Sequence, residues 1–347
     1  MGVRPASVRV FETVPDGFLD AEPAALADLL GGPSLIHVAG RRAPALFVAV
    51  LLHGNEHTSL RAVQRLLRSW AGRTLPRALT ILVGNVDAAR HGVRRLDGQP
   101  DYNRIWPGSS EPPSPERDLA QWVTDTMRDR GVFASVDVHN NTGLNPHYGC
   151  VSDLAARTLQ LAALFARTAV FFHTPHGVQS GAFAAFAPAI AIECGKSGEP
   201  ANDARAAEYL DACLHLADLP AHPVAPRDLA LYRTVCVVKV PDGVDVTFSP
   251  EDASLQLDRQ LDHLNFTDLP AGFRIASTRP GREAPLLALD DDGRDVTGKF
   301  LRVDPDGTIR LRRAATPSML TLDLSVIRQD CLGYLMERLA LPAAGAL

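Results

Sequence analysis

A histidine and a glutamate three residues apart, His53 and Glu56, have the types and spacing that suggest metal chemistry. Imidazole nitrogen and carboxylate oxygen are both ordinary zinc ligands, and a tight turn can aim both side chains at one point. A His-x-x-Glu pair also occurs often by chance, and two ligands do not make a site. The hypothesis of a zinc site therefore depends on a third ligand elsewhere in the chain.

The elements around this pair predict where it lies. An apolar run over residues 44–52 precedes it, with the length and the Val and Phe content of a buried strand. After it, Leu60, Val63 and Leu66 recur at helical spacing. The pair therefore lies on a turn leaving the carboxyl end of a central strand, where open α/β sheets keep their binding sites.

Two further predicted strands deliver residues of the same chemistry. His139 follows the predicted strand 132–138, and Glu193 follows the predicted strand 188–192. Two His and one Glu make the ligand set of many hydrolytic zinc sites, and Glu193 would be an additional carboxylate that moves a proton from water to a leaving amine. Considered singly, His139 is better explained as a hydrogen-bonded strand-end residue, and Glu193 as an acid at a helix start.

Strands and helices alternate up to about residue 220, which predicts an α/β layer architecture. A segment rich in Arg, Asp, Gly and Pro, 85–116, has the character of a long functional loop. Beyond residue 220, short alternating runs separated by Pro-Asp-Gly turns predict a β-rich part. We therefore predict two domains, 1–222 and 223–347. The other predicted strands are 34–40 and 79–84, and the predicted helices include 24–30, 154–169 and 201–217.

Composition excludes several classes of protein. The 347 residues suffice for a large core, and 46% hydrophobic with 22% charged residues is ordinary for a soluble globular protein. A net charge of -5 gives no reason to expect nucleic acid, and no run reaches ~18 apolar residues, so no membrane span is predicted. Five scattered cysteines without a CxxC pair argue against disulfides and against a thiolate zinc site, and no signal peptide is recognised. These features predict a cytoplasmic protein.

Four ordered segments resemble motifs of the succinylglutamate desuccinylase/aspartoacylase branch of the zinc carboxypeptidase family. They are His53-Gly54-Asn55-Glu56, Asp101-Tyr102-Asn103-Arg104, Asp137-Val138-His139-Asn140-Asn141-Thr142 and Ile192-Glu193-Cys194-Gly195. The resemblance spans roughly residues 45–200, and the C-terminal β part also resembles that branch in position and size. Order and spacing together are far more specific than any single motif.

The resemblance implies a zinc-carboxypeptidase-like three-layer α/β domain with a mostly parallel mixed sheet, plus a small C-terminal β-rich domain. It implies one Zn²⁺ per chain, held by His53, Glu56 and His139, with Glu193 as the general base and acid.

The same resemblance assigns substrate-binding roles. It implies that Asn103 and Arg104 hold the α-carboxylate of the substrate, with Arg104 using the bidentate fork that guanidinium makes with carboxylate. It also implies that an arginine upstream polarises the scissile carbonyl. Arg95 and Arg94 both remain candidates, because their spacing to Asn103 does not select one. Alone, Asn103-Arg104 would be read as a helix cap and a surface cation.

The chain departs from the family pattern at two places. Aspartoacylases have an arginine about ten residues before the catalytic glutamate, whereas residues 180–186 contain none. An apolar or small acyl group would therefore fit Phe183 and Phe186 better than an acidic one, although both could be core residues. A C-terminal tyrosine of the family also has no counterpart near residues 314–316, and Tyr148 and Tyr232 are weak substitutes.

The segment after His139 is unusually polar. Asn140 and Asn141 could donate to a substrate carbonyl or fix the tautomer of His139, and equally could serve a tight turn. His147 and Tyr148 are further candidates for substrate binding.

These observations predict a zinc-dependent amidohydrolase that cleaves an N-acyl amino acid, a small-molecule substrate with a free carboxylate. A zinc carboxypeptidase acting on short peptides would use the same residues and remains an alternative, as does a metal-binding homologue without turnover. The sequence leaves a homo-oligomer open.

Overall fold

The computed structural model describes residues 4–249, 253–282 and 285–342. Within these ranges the chain forms two compact units. The first contains the residues up to Asn140 and then His147–Ala230, and the second contains Asn141–Pro146 and Leu231–Ala340. Residues 341–342 belong to the first unit.

The first unit is built on a sheet whose strands run in the order β1-β2-β4-β3-β5-β8-β6-β7. The pairs β2/β4 and β6/β8 are antiparallel, and the remaining neighbours in this order are parallel. The strands are β1 Arg9–Phe11, β2 Ser34–Val38, β3 Ala45–Val50, β4 Leu79–Val83, β5 Val132–His139, β6 Tyr148–Val151, β7 Thr168–Phe171 and β8 Ala189–Glu193. Because β3, β5 and β8 are adjacent and parallel, their carboxyl ends meet at one edge of the sheet.

Seven α-helices of the described residues belong to this unit. They are α1 Leu26–Leu30, α2 Thr58–Ser69, α3 Val86–His91, α4 Pro115–Arg130, α5 Ala156–Phe165, α6 Gln179–Ala184 and α7 Pro200–His215. Local chemistry sets the bounds of α4. The Ser114 hydroxyl accepts from the Arg117 amide, Pro115 occupies the first turn, and the helix ends at Gly131.

The core explains why β3 is central. Five of its six residues are buried, as the continuous apolar run predicts for a strand covered on both faces. On one face, Phe47 stacks on Phe183 of α6 with ring centroids 4.5 Å apart. Trp122 of α4 joins the same cluster of buried side chains. Helices α2 and α7 pack against each other, and α2 also contacts β3 and β5.

Three elements differ from those predicted. The helix predicted over 154–169 ends at Phe165, and the strand β7 follows it. The segment 85–116 includes the short helix α3, whose first turn is capped by the Asn85 side chain accepting from the Ala88 amide. Tyr148 begins strand β6 instead of continuing a polar loop.

The second unit is rich in strands, as the sequence predicts for the C-terminal part. Strands β10-β11-β12-β15-β14 form a small sheet, and β17 pairs antiparallel with β9 and β16. Strand β13 pairs with β9. The elements are β9 Ala230–Lys239, β10 Val246–Thr247, β11 Leu255–Leu257, β12 Arg274–Ser277, β13 Leu287–Leu289, α8 Thr297–Phe300, β14 Leu301–Val303, β15 Thr308–Leu311, β16 Thr316–Ser318, α9 Leu324–Gln329 and β17 Gly333–Leu339.

The second unit has its own core of buried side chains, which includes Leu255, Phe300, Ile309 and Leu335. In the described parts of the chain, no helix combines the length and the apolar character needed to span a bilayer.

Candidate metal centre

The turn between β3 and α2 holds His53 and Glu56 in a fixed conformation. Leu51, at its start, has a φ of 54°, in the left-handed region that a branched side chain rarely adopts. The hydroxyl of Ser59, in the first turn of α2, accepts from the Leu51 amide at 3.0 Å and donates to the Glu56 carbonyl at 2.9 Å. Ser59 thereby ties the two ends of the turn together and offsets the strain at Leu51.

Gly54 brings this turn into close contact with α3. A Cβ atom at Gly54 would lie 2.2 Å from the Ala89 amide nitrogen and 2.7 Å from the Val93 carbonyl oxygen. The Gly54 amide donates to the Arg94 carbonyl at 3.1 Å. Only glycine allows this approach, which connects the His53–Glu56 turn to the segment that carries Arg94.

His53, Glu56 and His139 meet at the carboxyl ends of β3 and β5. The Nδ1 atom of His53 lies 2.8 Å from one Glu56 carboxylate oxygen, and Nδ1 of His139 lies 2.7 Å from the other. One ligand atom from each residue lies within 4.8 Å of the other two, and all three residues are buried. The structure therefore brings together the three residues proposed as ligands.

The Nε2 atom of each histidine, on the side of the ring away from Glu56, contacts an aspartate. Nε2 of His53 lies 3.0 Å from Asp101, and Nε2 of His139 lies 2.6 Å from Asp137. A carboxylate on the outer nitrogen fixes the tautomer and orientation of a metal-binding histidine and makes it more basic. Both aspartates lie in the motifs of the family resemblance, but this role was not among those predicted for them. The alternation Asp137-Val138-His139 on a strand was the signal, since residues i and i+2 share a face.

These carboxylates raise the pKa values of both rings. Burial lowers the pKa of His53, and Arg94 lowers it further, but Glu56 and Asp101 outweigh both effects, so that the pKa is raised. Burial also lowers the pKa of His139, yet the two carboxylates that it contacts raise it well above the ordinary value. For Glu56, burial raises the pKa, but the two imidazoles lower it far more.

The charge and the spacing of these groups fit a divalent cation. The raised pKa values of both histidines indicate that the carboxylates around them favour positive charge at the two rings, which a divalent cation would also supply. Ligands about 2.0–2.1 Å from a tetrahedral zinc lie roughly 3.4 Å apart. The Nδ1 atoms of His53 and His139 lie 2.8 and 2.7 Å from the Glu56 carboxylate oxygens. Each pair would therefore have to move apart only slightly to reach that geometry.

Glu193 lies beside this cluster. It ends β8, where it aligns with His139 of β5 on one side and with Tyr148 of β6 on the other. Glu193 is 6% exposed. Burial raises the pKa of the Cys150 and Cys194 thiols, and the charge of Glu193 raises both further, so both remain protonated at neutral pH.

The two candidate arginines have different partners. Arg94 donates from Nε to Asp101 at 3.0 Å, and another of its nitrogens lies 3.9 Å from Glu56. Arg95 donates to the Gln99 carbonyl at 2.7 Å, within its own loop. Arg94 is therefore the arginine that the structure places in contact with the cluster.

Asn103 and Arg104 have distinct environments. Asn103 is buried. Its side-chain oxygen accepts from the backbone amide of Gln179, and its Nδ2 lies 3.1 Å from Nε2 of His139. The guanidinium of Arg104 is half-buried and donates to the Asn103 carbonyl at 2.8 Å. The side chain of Gln179 donates to the Ser135 hydroxyl on β5 and so holds α6 against this strand. Gln179 was not among the predicted site residues.

The polar segment after His139 divides between the two units. The Asn140 amide donates to Glu56 at 3.1 Å, and its side chain bonds both Thr58 and the Gly195 carbonyl. Asn140 therefore positions the Glu56 carboxylate. Asn141 is buried and begins the part of this segment that belongs to the second unit.

Five other candidate residues have structural partners. His147 bonds the Asn202 side chain at 2.9 Å, and the buried Tyr148 lies in strand β6. Phe183 is fully buried in the core, and Phe186 packs against it, so neither supports an acyl pocket. Tyr232 packs against Phe266 within the second unit.

The family model of the succinylglutamate desuccinylase/aspartoacylase catalytic domain matches residues 43–218, a little over half of the chain. The chain belongs to this family. The match covers all four segments that carried the resemblance and confirms it. A search of curated proteins finds no match.

Solved structures of desuccinylases and acylases share the fold. The succinylglutamate desuccinylase of Chromobacterium violaceum superposes with a TM-score of 0.54 at 19% identity, covering 88% of this chain and 87% of that chain. The desuccinylase of Vibrio parahaemolyticus has a TM-score of 0.60 at 12% identity, covering 88% and 86%. Murine aminoacylase 3 has a TM-score of 0.57 at 16% identity, covering 86% and 97%. These similarities confirm the predicted mixed α/β fold with a large, mostly parallel sheet and a separate smaller sheet.

Proposed function

We propose that this desuccinylase/aspartoacylase family member is a zinc-dependent amidohydrolase that cleaves an N-acyl amino acid. The family acts on small acylated amino acids. One observation carries the proposal for this chain: His53, Glu56 and His139 converge at the strand ends where Glu193 also lies.

His53, Glu56 and His139 would hold the zinc, with Asp101 and Asp137 orienting the two rings. Bound there, zinc would supply Lewis acidity toward the scissile carbonyl and would lower the pKa of water. The Asn140 amide, 3.1 Å from Glu56, keeps the ligand carboxylate turned toward both rings.

Glu193 would move the proton. A carboxylate in hydrogen-bonding reach of the attacking water can accept its proton and deliver it to the leaving amine nitrogen. Its position at the end of β8, in register with His139, supports this role. The low exposure of Glu193 would limit the access of bulk water to its carboxylate.

Arginines would orient the substrate. Arg94 contacts the metal cluster and is our candidate for polarising the scissile carbonyl, while Arg104 would bind the α-carboxylate. Because residues 180–186 contain no arginine and Phe183 lies in the core, nothing in that segment selects an acidic acyl group. We therefore propose a small uncharged acyl group.

The experiment compares the wild type with Glu193→Gln. Zinc content is measured by atomic absorption, and hydrolysis is measured on a panel of N-acetyl amino acids, N-succinyl amino acids and dipeptides. We expect one zinc per chain in both proteins, N-acetyl substrates to be preferred, and a loss of about 10²–10⁴-fold in kcat for Glu193→Gln. Unchanged turnover in the variant would exclude Glu193 from the mechanism, and preference for dipeptides would identify a carboxypeptidase instead.

A further inference from the structure

A pocket separate from the candidate metal centre lies in the first unit, between strands β1 and β2 and the C-terminal half of α4. Its volume is about 360 Å³, at the lower end of the range for small-molecule sites. Trp122, Thr126 and Arg130 recur four residues apart on α4 and form one wall. The full lining is Arg4, Val10, Leu35, His37, Trp122, Thr126 and Arg130.

This pocket is remote from the metal centre. In the sheet, His37 aligns with Thr80, Thr80 with Phe47, and Phe47 with Ser135, which lies four residues before His139. Three strand spacings of about 4.8 Å and four residues of about 3.3 Å separate the two places by roughly 20 Å. The pocket is therefore not an extension of the hydrolytic site.

His37 supplies a buried polar group to the pocket. The ring is 8% exposed, and Nδ1 lies 3.0 Å from the Thr80 hydroxyl. No other described residue bonds the ring, so Nε2 is the nitrogen left for a ligand. When Thr80 donates to Nδ1, Nε2 carries the hydrogen. Burial lowers the pKa of His37, and Arg130 lowers it further, which keeps the ring neutral.

Two arginines at the pocket have no anionic partner among the described residues. Neither Arg4 nor Arg130 forms an ion pair or hydrogen bond with any of them. Glu12 is near enough to raise the pKa of His37, yet it pairs with neither arginine. Both arginines are exposed to solvent, so water solvates them when no ligand is bound, and Arg130 in the last turn of α4 also suits the helix dipole.

The rest of the lining is apolar or lacks a partner. Val10, Leu35 and Trp122 present hydrophobic surface. The Thr126 hydroxyl is enclosed and has no hydrogen-bond partner among the described residues. Two cations, apolar walls and a histidine nitrogen that donates when Thr80 donates to Nδ1 together match a ligand with an anionic end and an apolar body.

We propose that this pocket binds a small organic carboxylate. The carboxylate lies between Arg4 and Arg130 and accepts from Nε2 of His37, and the apolar body packs on Trp122 and Leu35. This inference is independent of the hydrolytic activity, because none of these residues belongs to the metal centre.

Isothermal titration calorimetry with phenylacetate tests the proposal. Benzyl alcohol serves as the neutral probe of similar shape, and inorganic phosphate as the anion without an apolar body. The variants are Arg4→Gln and Arg130→Gln at the pocket and Arg104→Gln at the proposed substrate site. Arg128→Gln is the matched control, since Arg128 also lies on α4 but pairs with Asp125 outside the pocket.

We expect phenylacetate to bind the wild type and Arg104→Gln at this site with equal affinity. Loss of one charged contact should weaken it about tenfold or more in Arg4→Gln and in Arg130→Gln, and leave Arg128→Gln unchanged. Benzyl alcohol and phosphate should each bind at least about tenfold more weakly than phenylacetate. No saturable binding, unchanged affinity in both pocket variants, loss of all binding in Arg104→Gln, or equal binding of phosphate would overturn the proposal.

Discussion

Asp137 is the residue whose replacement tests the metal centre most sharply. Its carboxylate lies 2.6 Å from Nε2 of His139, and both side chains are at most 5% exposed. Its other oxygen has no hydrogen-bond partner among the described residues. In Asp137→Asn the amide oxygen can still accept from Nε2, while the amide nitrogen replaces the oxygen without a partner. The substitution therefore removes a charge and keeps the shape.

The expected loss of zinc affinity follows from this geometry. A short, buried, charge-assisted hydrogen bond makes His139 a stronger donor to the metal. Removing such a carboxylate typically costs about 10–100-fold in metal affinity, or about 1.4–2.8 kcal/mol. Asp101→Asn should cost less, because Asp101 lies 3.0 Å from His53 and its side chain is 16% exposed.

Competition with a chromophoric zinc chelator of known affinity measures both dissociation constants. Asp125→Asn is the control, because Asp125 pairs with Arg128 on the surface of α4. Circular dichroism confirms that each variant is folded. If folded Asp137→Asn bound zinc as tightly as the wild type, or if Asp101→Asn were the more damaging change, our account of how the rings are oriented would be wrong.

Four further results are expected. Gly54→Ala should lower thermal stability by an amount equivalent to about 1–3 kcal/mol and weaken zinc binding, because its Cβ would lie 2.2 Å from backbone. Ser59→Ala leaves a buried amide unsatisfied and should cost about 1–3 kcal/mol in urea unfolding. Phe183→Ala should cost about 3–5 kcal/mol in the same assay and leave zinc affinity unchanged, since Phe183 is core. Burial raises the pKa of Cys213 to about 12, so at pH 8 its thiol should resist maleimide until the protein unfolds.

The positions of the strand ends could be predicted from the sequence. The apolar run before His53 has the length of a buried strand and ends abruptly in polar side chains, and the mostly apolar segment before His139 also has the length of a strand. Strands β3 and β5 are adjacent and parallel, so their ends lie together. For this reason His53 and His139, 86 positions apart in the sequence, meet. The prediction of the ligand set rested on these strand ends together with the resemblance of their motifs to the family.

The partners of these residues could not be predicted in the same way. Whether Arg94 or Arg95 turns toward Asp101 depends on the path of one loop, and their spacing to Asn103 fits either. The sequence is compatible with Phe183 either in the core or in an acyl pocket, because an aromatic side chain has the same chemistry in both places. Its contact with Phe47 decides between them, and that contact depends on how α6 packs on the sheet.

Glu56 bridges two imidazoles that follow different strands, and its contacts to both are part of the folded structure. Most of the entropic cost of assembling the coordination sphere is therefore met when the polypeptide folds. We therefore expect the protein to stay folded when metal is withheld, and zinc uptake to release protons, because the raised pKa values of His53 and His139 favour protonated imidazoles in the metal-free protein.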